Sequence, residues 1–266
     1  MVAGLSSRFG GKIKQFAIVG AKGETLIEYS LKQALSAGFS KIIFIVGEKT
    51  EAPFKKMFRD NYQGIPVRYA LQSFNQQERD KPWGTVDALC AAENLIKEPF
   101  VVCNGDDLYG KEAFTSLVHF LKNNKENATL GYKLRNVLPE KGKVNRGIFQ
   151  IKNNYVLEIK EIFDIEKDNL KEKSLNENDL VSMNIFALQP ETLNLLHHSL
   201  IQFKENNKND RKIECLLPKE ISKIIKDNKI TMNIFPTDEE CIGLTNSDDE
   251  IVVREKLKSK FSTENK

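Results

Sequence analysis

The chain has 266 residues, 40% of them hydrophobic, and a mean hydropathy of −0.42, which suit one large or two small globular α/β domains. Its 40 Lys and Arg residues nearly balance its 37 Asp and Glu residues, and a net charge of +3 argues against nucleic acid as the main partner. No apolar run reaches the roughly 18–20 residues of a membrane helix and no secretory leader is evident, so we expect a cytoplasmic protein without a membrane partner.

The first predicted element is a loop over residues 2–15, entered from a short strand fragment. It contains three glycines, two serines, one arginine and two lysines, and no carboxylate. Glycine lets the backbone bring its N–H groups close to a ligand, and fixed positive charge suits phosphate oxygens. The pattern predicts a polyphosphate-binding loop, although it is neither G-x-x-x-x-G-K-[ST] nor G-x-G-x-x-G. The alternative is a glycine-rich terminal arm that is basic by chance.

Beyond this loop, helices and buried strands alternate as far as residue 123. The predicted order is helix 24–37, strand 41–46, helix 53–61, strand 67–71, helix 85–96, strand 100–103 and helix 111–123. Such alternation predicts a mostly parallel sheet with helices on both faces, and ligands bind such sheets at the carboxyl ends of the strands. The opening loop, Gln72 and Asp106 all follow strands, so we expect them to meet at one edge.

The second half differs, because its predicted strands lie close together in the sequence. They cover 128–133, 147–151, 156–160 and 181–188, followed by helices 191–204 and 217–227, strand 232–235 and a closing helix after 247–249. This spacing predicts a small antiparallel extension of the sheet. The expected fold class is therefore α/β, with a Rossmann-like mixed, mostly parallel sheet and helices on both faces. We expect a single domain over 1–266 with two halves, 1–125 and 126–266.

Asp106 is the strongest acidic candidate for chemistry. It follows a buried strand in the sequence Asn104-Gly105-Asp106-Asp107. A carboxylate at this edge can hold Mg²⁺, whose other ligands would be phosphate oxygens and water. Asp107 either assists Asp106 or caps the next element of the chain, and the alternative for both residues is a solvated Asp-Asp turn.

Weaker signals come from Gln72, the pair Gly84-Thr85, and Glu161. A glutamine amide can pair with a nucleobase edge, and a glycine lets a base stack closely. Glu161 ends a predicted strand and could accept hydrogen bonds from sugar hydroxyls, with a surface glutamate as the alternative. The three histidines and four scattered cysteines lack metal-ligand spacing, so we expect structural histidines and reduced core cysteines.

Several motifs occur together along the chain. They are Ala3-Gly4-Leu-Ser-Ser-Arg8, Lys14-Gln15, Gln72, Gly84-Thr85, Gly105-Asp106-Asp107, Arg146-Gly147, Glu161, and residues 181–184, 214–218 and 243–245. On these motifs the chain resembles the sugar-1-phosphate nucleotidyltransferases, also named nucleoside-diphosphate-sugar pyrophosphorylases, and is most similar to a single-domain branch of that family. The resemblance covers nearly the whole chain.

The resemblance implies Mg²⁺-dependent transfer of a nucleoside monophosphate from a nucleoside triphosphate to a sugar 1-phosphate, with release of pyrophosphate. The attacking phosphate oxygen is already ionised at pH 7, so catalysis reduces to positioning and charge neutralisation. The implied catalytic residues are Arg8 and Lys14, and the implied metal ligand is Asp106. The implied nucleotide-binding residues are Ala3, Gly4, Ser6, Ser7, Gln72, Gly84 and Thr85, and the implied sugar-binding residues are Gly147, Glu161 and Asn184.

Three departures from the family pattern leave alternatives open. Two residues, Lys12 and Ile13, are inserted before Lys14, so Lys12 is the alternative acting lysine. Ile162 follows Glu161 where some relatives have a lysine, which leaves the sugar or alcohol phosphate open. Relatives supply a second metal ligand, an Asp or Asn, near residues 243–245, and in this sequence the candidates for it are Thr245, Asn246 and Asp248.

Other functions remain compatible with these residues. One is a cytidylyltransferase for a non-sugar phosphate such as phosphocholine, and another is a non-catalytic nucleotide-binding protein. A third is a glycosyltransferase that binds a nucleotide sugar through Asp106-Asp107; the opening loop argues against it, since that class holds no triphosphate tail. The joint presence of Arg8, Lys14 and Asp106 favours an enzyme. The base, the acceptor and the oligomeric state do not follow from the sequence.

The strand before the opening loop is short in this sequence. Only residues 1–3 precede Gly4, whereas a central strand has about 5–6 residues. We therefore expect the strand to extend upstream of this sequence, with a natively short strand as the alternative.

Overall fold

The computed structural model of the chain describes residues 1–4, 12–139, 142–244, 250–251 and 253–257. In these residues the strands are β1 (Ile42–Gly47), β2 (Asn61–Tyr62), β3 (Ile65–Gln72), β4 (Phe100–Val102), β5 (Asp107–Leu108), β6 (Asn127–Lys133), β7 (Val144–Lys152), β8 (Tyr155–Ile165), β9 (Leu180–Ser182), β10 (Phe186–Leu188), β11 (Met232–Thr237) and β12 (Ile242–Gly243). The helices are α1 (Leu26–Leu35), α2 (Glu48–Phe58), α3 (Thr85–Cys90), α4 (Lys111–Asn123), α5 (Pro190–Asn206) and α6 (Leu217–Lys226). Residues 250–251 and 253–257 are also helical, at the place of the predicted closing helix.

Capping side chains explain where the first two helices begin. Helix α1 follows Thr25, whose N–H donates to the Glu28 carboxylate at 2.9 Å while its hydroxyl accepts from the Glu28 N–H, which is a capping box. Helix α2 begins five residues before its predicted start, because the Gly47 N–H donates to Thr50 Oγ1 at 2.9 Å and caps an earlier turn. Helix α4 has the predicted bounds.

The strands of the first half run side by side and end together. Strands β1 and β3 pair in parallel, and their register places Gly47 beside Gln72. Residues 1–2 lie between β1 and β4, with backbone hydrogen bonds of 2.8 Å to Ile45 and 2.7 Å to Cys103. The start of the chain, the end of β3 and the end of β4 therefore lie at one edge, as the alternating pattern predicts.

The larger sheet corrects the expectation of a mostly parallel fold. Its strand order is β11-β8-β7-β9-β6-β10-β4, and β11 also pairs with β6, so that β6, β9, β7, β8 and β11 close into a ring. Among the strand pairs of the described residues, β1–β3 and β11–β6 are parallel and the others are antiparallel. The physical reason is that the longest strands, β7 and β8, form a hairpin, and a short connection permits only antiparallel pairing. The fold is a mixed α/β fold with a mostly antiparallel sheet.

The strand predicted over 181–188 is divided into β9 and β10. The division falls at Asn184, whose φ of +57° lies in the left-handed region that asparagine tolerates better than most residues. Strand β9 pairs with β6 and β7, whereas β10 pairs with β6 and β4. The break therefore moves the chain from the ring of strands toward the edge that carries β4.

The helices pack against the sheet through their apolar faces. The buried face of α6 joins β8 and β11 in one hydrophobic cluster, and that of α4 joins β6 and β10 in another. No helix in the part of the chain that the structure describes is long and apolar enough to cross a bilayer.

Candidate active site

Asp106 lies four residues beyond the end of β4, at the edge where the strands of the first half end. Its carboxylate forms an ion pair with Lys14 Nζ, and the two side chains are only 19% and 23% exposed. Lys14 begins a short 3₁₀ turn, Lys14–Phe16, whereas the alternative lysine, Lys12, is exposed. The structure therefore brings Lys14, not Lys12, to Asp106.

Asp107 is a buried carboxylate next to this ion pair. It lies in β5, opposite Gly243 of β12, and the missing side chain of Gly243 lets the Asp107 carboxylate lie against that strand. Burial raises the pKa of the Asp107 carboxyl to about 7, the negative charge of Asp106 adds to the rise, and a hydrogen bond from Asn104 Nδ2 at 3.0 Å opposes it. The candidate second metal ligands Thr245, Asn246 and Asp248 lie outside the described residues.

A pocket of about 420 Å³, which we name the Gln72 pocket, lies at the same edge. Residues that line it include Ala3, Gly4, Gln72, Gln76, Arg79 and Pro82. Of the predicted nucleotide-binding residues, Ser6 and Ser7 fall outside the described residues, as does the predicted catalytic Arg8. A second pocket, of about 480 Å³ between α4 and β11, contains none of the predicted site residues.

Gly84 and Thr85 lie behind the Gln72 pocket rather than in its wall. The Gly84 carbonyl accepts a hydrogen bond from Gln72 Nε2 at 3.0 Å. Gly84 has φ of +99°, and a Cβ there would lie 2.6 Å from the Cys215 carbonyl oxygen, so both its conformation and its surroundings favour glycine. Thr85 Oγ1 accepts from the Leu217 N–H at 2.8 Å and so caps α6. Direct nucleotide contacts by this pair stay predictions.

Three charged residues around Gln72 were not anticipated from the sequence. Gln72 Nε2 donates to Asp87 Oδ2 at 2.8 Å, and Asp87 Oδ1 pairs with Lys204 Nζ at 2.6 Å. The Arg79 guanidinium lies 3.4 Å from the centroid of the Trp83 ring and donates to three backbone carbonyls. Asp87 was detectable in principle, because it is a charged residue at a buried position of an otherwise apolar helix, and such residues are paired.

The predicted sugar-binding residues come together on the second half of the sheet. Gly147 is paired with Glu161 on one side and with Ser182 on the other. The Asn184 N–H donates to Ser182 Oγ at 3.2 Å, which places Asn184 beside the same pair. A Cβ on Gly147 would lie 3.6 Å from Glu161 Oε2 and 2.7 Å from Ile159 Cγ2, so glycine leaves space next to the carboxylate. We name Gly147, Glu161 and Asn184 the Glu161 cluster.

Two cations face the Glu161 cluster, and neither had a predicted role. Burial raises the pKa of the half-buried Glu161 carboxyl, while the charges of Lys219 and Arg146 oppose the rise. Arg146 donates to the carbonyls of Asn145 and Val137 at 3.0 Å, and burial lowers its pKa. Its Nε atom is buried without a hydrogen-bond partner in the described part of the chain. Arg146 was detectable from its place beside Gly147 in the sequence motif.

Tyr109 connects the Asp106 edge with the Glu161 cluster. Its buried hydroxyl donates to the Met183 carbonyl at 3.0 Å, accepts from the Asn104 N–H at 3.0 Å and lies 3.5 Å from Asp107 Oδ2. Met183 directly precedes Asn184. The two groups of predicted residues are therefore linked through Tyr109.

The acidic residues of the site fit Mg²⁺ better than a structural metal. Within the described residues, no three His, Cys, Asp or Glu side chains come together to form a metal cage. Mg²⁺ is usually held by one or two carboxylates and completes its shell with water and substrate phosphates. Asp106, half-buried at the edge and paired with the long side chain of a lysine, suits that mode of binding.

Comparisons with known proteins identify a family and several solved structures that resemble this chain. Residues 10–235 match the nucleotidyl transferase family. A Bacillus anthracis protein assigned as a glucose-1-phosphate thymidylyltransferase, solved with sucrose, has a TM-score of 0.67 at 13% identity, over 95% of this chain and 93% of that one. UDP-glucose pyrophosphorylase with bound UDP-glucose has a TM-score of 0.67 at 15% identity, over 97% of both chains. The structure of apo UDP-glucose pyrophosphorylase has a TM-score of 0.64.

At these identities the solved structures show a shared fold. Among curated proteins, none matches the sequence significantly. The family match shows more than a shared fold, because it is a match of the sequence over most of the chain. The protein therefore belongs to the nucleotidyl transferase family and is a nucleotidyltransferase.

Proposed function

We propose that the enzyme transfers a nucleoside monophosphate from a nucleoside triphosphate to a sugar 1-phosphate in a Mg²⁺-dependent reaction. A phosphate oxygen of the sugar 1-phosphate attacks the α-phosphorus in line. The new P–O bond forms as the bond to the β-phosphate oxygen breaks, and pyrophosphate leaves with that electron pair. Family membership supports the transfer, and the names of the structural neighbours, which concern glucose 1-phosphate and UDP-glucose, support the substrate class.

The observation that carries the proposal is the ion pair between Lys14 and Asp106. These side chains neutralise each other at the edge where the parallel strands end. When a polyphosphate and its cation bind, each side chain can exchange its partner for one of opposite charge. Lys14 would then donate to the α-phosphate or the incoming phosphate, where a fixed charge offsets the charge that develops in the transition state. Arg8 would hold the β- and γ-phosphates.

Asp106 is the residue that would hold Mg²⁺. Bound there, the ion would neutralise phosphate charge and help to align the reacting groups. The protein's own contribution is to keep the Asp106 carboxylate at the strand edge, where the β5–β12 pairing and the Asn104–Asp107 hydrogen bond fix the turn around it.

The two substrates would occupy the two parts of the site. The nucleotide would lie in the Gln72 pocket, with its base at Gln72 and its phosphates along Ala3 and Gly4. Ser6 and Ser7 stay predicted phosphate contacts. The sugar 1-phosphate would lie at the Glu161 cluster, where Glu161 accepts from hydroxyls and Gly147 allows close approach. Asn184 would add its side-chain amide.

A pyrophosphate-release assay tests the proposal. Each of ATP, GTP, CTP, UTP and dTTP is combined with a panel of sugar 1-phosphates and with phosphocholine, in Mg²⁺ and in EDTA. We expect turnover with at least one sugar 1-phosphate in Mg²⁺ and its loss in EDTA. Absence of turnover with every pair would contradict the proposed reaction, and undiminished turnover in EDTA would contradict its metal dependence.

One observation favours phosphocholine as an alternative acceptor. The ring of Phe163, two residues beyond Glu161 in β8, is 52% exposed, and Lys219 Nζ lies 5.9 Å from its centroid. An exposed ring and a carboxylate two residues apart on one strand suit a quaternary ammonium group, which would take the place of Lys219 at the ring, as well as the apolar face of a sugar. Turnover of CTP with phosphocholine but with no sugar 1-phosphate would establish this alternative.

A further inference from the structure

A line of buried polar contacts leads from the Gln72 pocket into the protein. The Gln72 side chain is part of a residue only 7% exposed, and its Nε2 donates to the Gly84 carbonyl at 3.0 Å and to Asp87 Oδ2 at 2.8 Å. Asp87 is 9% exposed, and its other oxygen pairs with Lys204 Nζ at 2.6 Å. Gln72, Asp87 and Lys204 therefore form one connected network, here the Gln72 network.

The Gln72 network determines which end of the Gln72 amide faces the pocket. An amide nitrogen carries two hydrogens, and both have acceptors here, so Nε2 has none left for a ligand. Turning the amide over would place Oε1 against the Gly84 carbonyl and the Asp87 carboxylate, both of which are acceptors. Among the described residues that line the Gln72 pocket, Gln72 is present while Gly84 and Asp87 are not. Oε1 is therefore the amide atom that the pocket offers, and it is an acceptor.

Lys204 completes the Gln72 network by compensating the buried Asp87 carboxylate. A buried carboxylate without a partner would be costly, and the ion pair with Lys204 compensates its charge and holds the side chain in place. Lys204 Nζ also lies 5.8 Å from the centroid of the Trp83 ring, which Arg79 of the pocket wall contacts as well. Through the Trp83 ring, the Gln72 network is therefore connected to Arg79 in the wall of the pocket as well as to Gln72 itself.

Given the proposed placement of the nucleotide, on which this inference rests, we propose that Asp87 and Lys204 are positioning residues that fix Gln72 as a hydrogen-bond acceptor. If the centre of the pairing edge of the base meets Gln72 Oε1, the pocket selects bases with a ring N–H at that point, which are uracil, thymine and guanine. Cytosine and adenine present an acceptor nitrogen at that point, which would leave Gln72 Oε1 facing another acceptor. A site built to pair with a ligand N–H discriminates strongly against ligands that lack it.

Isothermal titration of the full-length enzyme in Mg²⁺ tests the assignment, with two matched pairs of probes, UTP against CTP and GTP against ATP. We expect the wild type to bind the keto base of at least one pair more tightly, by about tenfold or more, the scale of hydrogen-bond discrimination at a buried polar group. In Asp87→Asn the new amide can donate to Gln72 Oε1, so only the Gly84 carbonyl still opposes the turned-over orientation and the constraint on Gln72 is weakened. The preference should then fall to about threefold or less.

The matched control is Glu158→Gln. Glu158 forms an ion pair of the same length, 2.6 Å, with Lys226, and it lies outside the Gln72 pocket, so its loss should leave the base preference unchanged. If Asp87→Asn does not fold, Lys204→Met is measured in its place, with the same expectation of a reduced preference. A purely structural role would alter stability but not the ratio of affinities.

Three results would overturn the assignment. They are an unchanged base preference in folded Asp87→Asn, an unchanged preference in Lys204→Met where that variant is needed, and a wild-type preference for CTP and ATP. Absence of binding by all four triphosphates would contradict the proposed function itself and is therefore distinguishable from these results.

Discussion

Gln72 and Asn184 are the two side-chain amides predicted to contact ligand, and the protein holds them differently. Both N–H bonds of the Gln72 side-chain amide have acceptors in the protein, and the residue is 7% exposed. The Asn184 amide has no hydrogen-bond partner among the described residues, although its backbone is held in the left-handed region. The carboxylates show the same contrast, because Asp106 is paired with Lys14 whereas Glu161 has no ion pair in the described part of the chain.

The difference separates a preorganised side of the site from an open one. Around Gln72 and Asp106, protein contacts orient the polar atoms before any ligand binds. Catalysis by positioning and charge neutralisation benefits most from groups that are oriented in advance. In the Glu161 cluster the polar atoms are partly exposed, and water can satisfy them until an acceptor replaces it. Changes on the preorganised side should therefore reduce the rate with every acceptor, and changes in the Glu161 cluster should act on acceptor binding.

Asp106→Asn gives the largest expected effect and tests whether the preorganised side carries the chemistry. Metal-ion catalysis contributes several kcal/mol, and about 1.4 kcal/mol corresponds to a factor of ten, so we expect kcat to fall by about 10³-fold. Steady-state rates across a Mg²⁺ series and the melting temperature provide the measurement. Asp168→Asn, at an exposed aspartate, is the control. Near-normal kcat at saturating Mg²⁺ would remove Asp106 from the metal site.

Lys14→Ala compared with Lys12→Ala gives the next effect. Lys14 pairs with Asp106 and Lys12 is exposed, so Lys14→Ala should lower kcat by roughly 10²–10³, the usual scale for one preorganised donor, and Lys12→Ala by much less. The two variants are matched, because each replaces one lysine by alanine and the two lysines are close together in the sequence. A larger loss in Lys12→Ala would show that the ion pair seen here is not the reacting arrangement.

Glu161→Gln sharpens the contrast from the open side. Hydrogen bonds to a charged group contribute about 1.5–3 kcal/mol, so we expect KM for the sugar 1-phosphate to rise by roughly 10–100-fold, with the Kd for the triphosphate nearly unchanged. Glu158→Gln, on the same strand but paired with Lys226, is the control. An equal loss of triphosphate affinity in Glu161→Gln would break the division of the site into two sides.

The smallest expected effect is on stability as a function of pH. Burial raises the pKa of Glu161 above its ordinary value of 4.5, with Lys219 and Arg146 opposing the rise. The folded protein therefore binds this proton more readily than the unfolded chain does, and the stability gained is fully present below pH 4.5 and lost as pH rises through the folded pKa. The Tm of the wild type relative to Glu161→Gln should rise slightly as pH falls from neutrality toward 4.5. A Tm difference that is independent of pH would contradict the burial of this carboxyl.

The parts that follow from local sequence were predictable. Helix α4 has a 13-residue amphipathic pattern, and its bounds agree with the prediction. The position of Asp106 followed from a short buried strand ahead of it, and the approach of Gln72 to the same edge followed from parallel pairing of β1 and β3. In each case the signal lies within a few residues of the feature.

The parts that depend on distant residues were not predictable. Asp87 and Lys204 are 117 positions apart, and nothing local to either residue shows that they pair. Whether two strands pair in parallel or antiparallel depends on how the chain connects them, and short apolar runs do not show this. The extent of antiparallel pairing in the ring of strands was therefore not predicted. The two-residue strands β5 and β12 are too short to show a period, yet their pairing shapes the turn at Asp106.

That pairing has a consequence for how the enzyme is made. The chain leaves the ribosome from its amino end, and Ile242 and Gly243 emerge after all of the strands β1 to β11. Until they do, Asp107 has no strand opposite it, and the turn that presents Asp106 is held from one side only. A chain that ends before β12 therefore lacks one of the two sides of the turn at Asp106. The turn at Asp106 is thus completed only when the chain has been made as far as β12.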